Sequence, residues 1–480
     1  MKIKKSVSED KPGICLVGLG PHAKRIYYNY IEQDVLDKKL DFYLLIDLIT
    51  KETDIDDFCA KRKVQPQNIF LSKVSQIFQQ TSDEKLDPRL VVFLDKAIRE
   101  KRIQYAIVST EPRAHKVYIE YFIKNKIPIL TDKPLTSPVG VNYKIKKAKQ
   151  ISADAKYLSV LSSKYDTPIY VQVQRREHPA YKFIFNEVKK VIDEYQVPIT
   201  FFNIYHSDGQ WTMPSEFASR ENHPHKYGYG KIMHSGYHFA DLVAWIAESN
   251  KRLFPNLYIS NETQLLLPGT HYGQIKGARL YKKIFGKKTL SPKNEKMGEV
   301  DSYTSFVFRD SSRSSDKNNM ITFGNLNMLQ AGFSKRAWFP LPVDTYKGNG
   351  RLRHEYFDIN IGPLFNIQFH SYQSEEVHGG GPTSGVGSRD HLEVYIFRNE
   401  KIIGGKPFEI VDFSSRQYMK DHHLSSYLGH NEEARHMLYS KMFSGSESPA
   451  LMQNQILTNN IIAHLYESSM RKKMITFDAS

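Results

Sequence analysis

With 480 residues, 40% of them hydrophobic and 25% charged, the chain has the composition of a globular protein with room for two or more domains. No uncharged apolar run nears the roughly 18 residues of a membrane helix, the basic start passes into polar residues rather than a signal core, and two cysteines, Cys15 and Cys59, exclude a disulfide framework. The net charge of +15 is scattered, with short clusters such as Lys61–Lys63 and no zinc-finger or RNA-binding aromatic motif. The expectation is therefore a cytoplasmic, reduced protein with no nucleic-acid or membrane partner, its excess charge mostly solvated.

The first element is the apolar run Ile14–Val17, bounded by Gly13 and Gly18, which suits a strand buried on both faces of a parallel sheet. Gly18-x-Gly20-x-x-Ala23 follows, with Pro21 where a first helical residue belongs and Ile26/Tyr30 and Tyr27/Ile31 at helical spacing. In such a strand–turn–helix the first glycine makes the turn and the second lets backbone approach a pyrophosphate. The third small residue packs helix on strand. The next strand, Phe42–Ile46, ends in Asp47, an acid placed to hold a ribose diol and to repel a 2′-phosphate. A dinucleotide site favouring NAD, with NADP as the alternative, is expected.

Further on, Asn68–Leu71 reads as a short strand and Pro88–Lys101 as an exposed helix with Leu90, Phe93 and Leu94 inward. The sheet resumes with Tyr105–Val108, then Ser109, Thr110, Pro112 and His115, and a helix stopping at Asn125, a residue that tolerates a left-handed cap. The strand Pro128–Leu130 runs into Thr131-Asp132-Lys133-Pro134, which brings Lys133 to the ligand crevice beyond the strand ends. After a helix around Val141–Ser152 the pattern changes to alternating strands with one wet face: 169–175, 199–205, 257–267, 302–308, 320–328, 355–361 and 365–370. The expected architecture is α/β, a doubly wound parallel sheet over residues 11–164 and a mostly antiparallel open sheet with closing helices over 165–480. Residues 282–296 and 311–319 read as loops, and the glycine run 379–387 lacks the ending of a phosphate loop. Ser448-Pro449 reads as the opening of a last amphipathic helix with Leu457, Ile461 and Leu465.

The stretch Gly228–Trp245 carries the most chemistry. If helical from Ile232, it puts His234, His238, Asp241 and Trp245 on one face. A metal pair lacks an identifiable third ligand, so no metal is expected, and satisfied interface histidines are the bland alternative.

Together, Gly18-Leu-Gly20-Pro21-His22-Ala23, Ser109-Thr110-Glu-Pro112-Arg-Ala-His115, Thr131-Asp132-Lys133-Pro134, Gln174-Arg175-Arg176, and Gly228-Tyr229-Gly230 with Gly236-Tyr-His238-Phe-Ala-Asp241 resemble the glucose–fructose oxidoreductase, inositol dehydrogenase and rhizopine-catabolism (Gfo/Idh/MocA) family. The resemblance implies a Rossmann domain, an open-sheet domain often used for dimer or tetramer contacts, and hydride transfer between nicotinamide and a sugar, cyclitol or related compound. It implies cofactor contacts from Gly18, Gly20, Pro21, His22, Ala23, Asp47, Ser109, Thr110, Pro112, His115, Asp132 and Lys133, and a lysine and a catalytic histidine at Lys133 and His238. Substrate contacts are expected near Arg175, Arg176, His206, Trp211, Tyr229 and Asp241. One departure stands out: His234 occupies the position of the family's aspartate, so His234 is a third catalytic candidate. That departure leaves open a branch that cleaves glycosides through transient oxidation by bound NAD, and a catalytically silent NAD-binding regulator.

Overall fold

The structure, a computed structural model, describes residues 11–73, 85–210, 212, 214–274, 296–310, 312, 319–330, 352–374 and 391–479. Trp211, the glycine run 379–387 and most of the two expected loops at 282–296 and 311–319 lie outside the described residues. The chain forms two compact units. The first holds residues up to Thr136, Asp154–Gln172 and Arg435–Gln453; the second holds Ser137–Ala153, Val173–Ala434 and the residues from Asn454.

The first unit is built on β1 (Gly13–Val17), α1 (Pro21–Arg25), α2 (Tyr27–Leu36), β2 (Asp41–Leu48), α3 (Glu52–Cys59), β3 (Asn68–Ser72), α4 (Pro88–Arg99), β4 (Tyr105–Val108), α5 (His115–Lys124) and β5 (Ile129–Thr131). Helix α6 (Ile145–Tyr165), which belongs to this unit from Asp154 on, runs on to β6 (Ile169–Val171), and the sheet order is β3-β2-β1-β4-β5-β6, all parallel. All five residues of β1 are buried, as an uncharged run inside a two-faced sheet requires. Strand order reverses between β1 and β4, the switch point at which such sheets bind ligands. The returning segment from Arg435 rests on α2, where Tyr439 donates to Asp34 at 2.9 Å.

Three details differ from the sequence reading. Residues 169–175 do not form one strand with a wet face: Ile169–Val171 joins the parallel sheet beside β5, and Gln174–Glu177 is a single 3-10 turn. Helix α6 starts later and runs longer than expected, because Ala148, Ile151, Ala155, Leu158 and Leu161 extend one buried stripe. After α5 the left-handed residue is Lys126 (φ 57°), not Asn125.

The second unit carries α7 (Pro179–Tyr195), β7 (Phe201–Ser207), α8 (Pro214–Ser219), α9 (Tyr237–Lys251), β8 (Leu257–Leu266) and α10 (Pro268–Gln274). Strands β9 (Asp301–Asp310), β10 (Met320–Leu329), β11 (Leu352–Ile361), β12 (Phe365–Ser374), β13 (His391–Arg398), β14 (Phe408–Asp412) and β15 (Ile475–Asp478) complete a nine-stranded sheet in the order β14-β13-β12-β11-β7-β10-β9-β8-β15. All its pairings are antiparallel except β7 with β10. One face buries Phe202, Ile204, Phe306, Leu326, Phe357, Ile367 and Val394, with α7, α9 and the helix Ile456–Arg471 among the helices of this unit; the closing helix packs on α9 and β8. The opposite face is half-exposed, the alternation expected of a sheet with one wet side. Ser448 Oγ accepts the Ala450 amide at 3.2 Å without opening the helix there: a 3-10 turn at Met452–Gln455 precedes the closing helix, which buries Leu457, Ile461 and Leu465.

Candidate functional site

In the first unit, the turn after β1 shows two glycines under different constraints. Gly18 has φ +89°, donates to the Ile46 carbonyl at 2.8 Å, and faces Thr110 so closely that a Cβ would lie 2.6 Å from its Cα. The protein's own packing requires that glycine. Gly20, extended at φ −72° before Pro21, would place a Cβ with nothing within 4 Å. Asp47 fastens the turn: one carboxylate oxygen accepts the Leu19 amide at 2.7 Å and the other its neighbour Leu48 at 2.7 Å. Its half-buried setting pushes its carboxyl above the usual range, and each oxygen keeps a further lone pair for a hydroxyl.

The ends of β4 and β5 are tied together. Asp132 accepts from Ser109 Oγ at 2.6 Å and from Tyr27 at 2.5 Å, with His22 Nε2 3.5 Å away. The fully buried His115 sets Nδ1 3.1 Å from the Pro134 carbonyl and Nε2 3.0 Å from that of Thr110, so it holds the two loops together. Burial lowers the His115 imidazole, and it lowers His22, to about 4, against the opposing pull of Asp132. Lys133 is half-buried, its charge reaches His22, and its peptide bond to Pro134 is cis. Gly18, Gly20, His22, Asp47, Ser109, Thr110, Asp132 and Lys133 thus gather beyond the carboxyl ends of the strands, on both sides of the switch point. Asp132 in that group, and His115 beside it, spend their polar atoms on neighbouring chain, which makes them positioning residues.

The second unit holds both candidate histidines. Helix α9 begins at Tyr237 rather than Ile232, so His234 stands on a turn while His238, Asp241 and Trp245 ride the helix. Two clamps hold the turn off the helix. The buried Lys231 donates to Asp208 (2.7 Å), His206 Nδ1 (2.8 Å) and Ser235 Oγ (2.9 Å), fixing it to the end of β7. Glu299 accepts the Lys231 amide on its carbonyl (3.0 Å) and the Ile232 amide on its carboxyl (2.8 Å). Gly236 then has no room for a side chain, since a Cβ would meet the Lys231 carbonyl at 2.5 Å. His234 is stacked on His223 (ring centroids 4.7 Å, planes 10° apart) and edge-on to His225 and Tyr229. His225 is lowered to about 4 by burial.

The expected substrate residues divide. Arg176 grips Asp241 bidentately at 2.9 Å through Nε and through a terminal nitrogen, and it reaches Glu248 at 2.7 Å. Gln455 and Thr458 also donate to Asp241, so this pair belongs to the core behind α9. Arg175 is bound to Glu355 (2.5 Å) and Tyr181 (3.1 Å). His206, which desolvation lowers well below its usual range, lies flat on Phe239 at 4.2 Å. Lys231, Asp208, Glu299 and Glu355 were not singled out from the sequence. Lys231 sits inside the loaded stretch and could have been; the three acids lie far from it along the chain. Among the described residues no group of three or more metal-ligating side chains is found, and no helix is long and apolar enough to cross a membrane.

A 3-2-1-4-5-6 parallel sheet with a glycine turn at its switch point defines a Rossmann domain, and the nine-stranded open sheet completes a two-part α/β architecture. No family model and no curated protein matches the sequence. Solved structures do share the fold. The aldose-aldose oxidoreductase from Caulobacter crescentus, complexed with glycerol, is 11% identical over 97% of this chain and 100% of its own, with a TM-score of 0.54. The WlbA dehydrogenase from Bordetella pertussis, in complex with NADH and UDP-GlcNAcA, is 13% identical over 98% and 99%, at 0.52. The apo scyllo-inositol dehydrogenase from Lactobacillus casei is 10% identical over 98% and 99%, at 0.51. The chain shares the two-part fold of these oxidoreductases, which is the fold the resemblance implied.

Proposed function

We propose that this chain is an NAD(P)-dependent oxidoreductase that moves hydride between a nicotinamide and the carbinol carbon of a sugar, cyclitol or sugar derivative. The observation that carries the reading is the contrast at the switch point. Gly18 is demanded by the protein's own packing, whereas Gly20 leaves open space in front of a helix start. That residue pattern fits a pyrophosphate, and Asp47 beside it fits a ribose diol and disfavours a 2′-phosphate. Neighbours of the same fold bound to NAD or NADH support the choice of cofactor.

The nicotinamide, when bound, supplies the hydride acceptor or donor. The remaining work falls to side chains. Lys133, delivered by β5, would donate to the carbinol oxygen and stabilise it as it becomes an alkoxide. An imidazole takes the hydroxyl proton; His238, in the first turn of α9, is assigned this role, with His234 beside it in sequence as the second candidate. Without the family's aspartate, orientation of His238 falls to the clamped turn, and two protonated imidazoles would repel. The two free, buried thiols suit a reducing compartment, and the half-exposed sheet face suits a homo-oligomer.

The test is NAD(P) binding followed by turnover on a panel of sugars, cyclitols and their phosphorylated or nucleotide-linked forms. Lys133→Ala should lower kcat by roughly 10²–10³-fold, the scale of losing one oxyanion donor, with cofactor affinity kept. Retained turnover in that variant would remove Lys133 from the mechanism. Bond cleavage without net NADH would point to the redox-cycling branch, and binding without turnover to a regulator.

A further inference from the structure

We propose that Glu299 is the positioning residue of the turn Lys231–Gly236, and that it holds the turn as a neutral, protonated carboxyl group. The inference rests on reading His234 and His238 as the imidazoles of the site. Glu299 is completely buried. Its segment lies backbone to backbone against the turn: a Cβ on Gly230 would fall 2.0 Å from the Glu299 carbonyl oxygen, and one on Gly298 would fall 1.9 Å from that of Tyr229. No side chain fits between them, so a movement of Glu299 is transmitted directly to the residues leading into His234.

The carboxyl group is asymmetric. Oε1 accepts two donors, the Ile232 amide at 2.8 Å and the Tyr466 hydroxyl of the closing helix at 2.9 Å. Oε2 is buried with no hydrogen-bond partner among the described residues. A proton on Oε2 leaves Oε1 free for both donors, whereas an ionised group would leave charge on an unsolvated oxygen. The groups that act on the carboxyl are the Tyr466 hydroxyl from the closing helix, the Ile232 and Gly230 amides and its own amide; Tyr229 lies against Tyr466, and His225 Nδ1 is 3.1 Å from the carbonyl of the preceding Gly298. His225 is itself held neutral by burial. The nearby Lys231 ammonium is committed to Asp208, His206 and Ser235. Burial accordingly raises the Glu299 carboxyl to about 7. A raised acid contributes stability that is complete below the ordinary carboxylate range and is lost as pH rises through about 7.

Glu299→Gln keeps the acceptor and cannot ionise. In wild type the urea midpoint should fall between pH 5.5 and 8.5 by an amount the variant does not show. The ratio of kcat in the variant to kcat in wild type should rise severalfold over the same range, with KM unmoved. Parallel profiles for both proteins would overturn the proposal. If the variant does not fold, amide exchange in wild type decides. After correction for intrinsic rates, a peptide covering 229–236 should lose protection above pH 7, and pH-independent protection would be fatal. The denaturation and exchange measurements need neither cofactor nor substrate, so they read Glu299 even if the oxidoreductase reading fails. Turnover with a pH-independent turn would sink this inference alone.

Discussion

Arg176 grips both oxygens of the Asp241 carboxylate, and Thr458 at 2.8 Å and Gln455 at 3.2 Å add donors to Oδ1, all out of water. Arg176 is held from a third side by Trp245, 5.0 Å below the guanidinium, and Trp245 is stacked at 3.7 Å on Phe185. Taking one partner from such a pair strands the other charge in a low dielectric and costs about 3–5 kcal/mol. Asp241→Asn should sit near the lower end, because Glu248 still engages Arg176. Replacing both residues by Leu and Met of similar volume should recover most of the loss. Urea denaturation of the two variants checks this. A single-variant loss under about 1 kcal/mol would mean that water reaches the pair and that Asp241 is available to a ligand after all.

At the scale of elements, legibility in the sequence followed the range of the forces. Strand β1, the glycine turn and the helix start are decided by neighbours a few residues apart, so Ile14–Val17, Gly18, Gly20 and Pro21 could be read directly. Strands β8 to β12 were legible for the same reason, through their two-residue alternation. Strand β13 carries the same signal in Leu392, Val394 and Ile396 but went unrecognised after a glycine-rich run, and β14 is a short edge strand with little pattern. The start of α9 was not legible. Helical spacing continues through His234, and partners distant in sequence, among them Asp208 26 residues before and Glu299 65 after, pull that turn away. The glycine turn gives a sharp test at this scale. Gly18→Ala forces a left-handed alanine into Thr110 and should cost roughly 2–4 kcal/mol in denaturation. Gly20→Ala should leave stability within about 0.5 kcal/mol yet weaken NAD binding by about tenfold or more, or 1.4 kcal/mol. If Gly20→Ala binds NAD as the parent does, the open space is not a pyrophosphate seat.

For the molecule as a whole, the outward face of the nine-stranded sheet is the surface on which the proposed homo-oligomer would form. Register puts Phe323, Phe201, Asn360, Asn366, Phe397 and Phe408 in one row across six strands, and Asn325, Asn203, Asp358, Gln368, Tyr395 and Ile410 in the next. Apolar ends therefore flank a polar centre in the first row, and the second row turns apolar at its Tyr395–Ile410 end; in the centre Asp358 and Asn366 are bonded to each other. Phe323, Phe408 and Ile410 are each about half exposed, at 52%, 48% and 50%. Large apolar side chains left in water on one continuous face suit the proposed interface better than a solvated surface. A homo-oligomer built on this face would bury both apolar ends. The net charge of +15 works against it at low salt, so added salt should favour assembly. Phe323→Asp with Ile410→Asp, both on the wet face and outside the core, should convert the oligomer to monomer in light scattering while the urea midpoint of the monomer stays within the range of ordinary surface changes, about 0.5 kcal/mol. A wild-type monomer at all salt concentrations, or an oligomer that survives both charges, would place the contact elsewhere and leave this face to another partner.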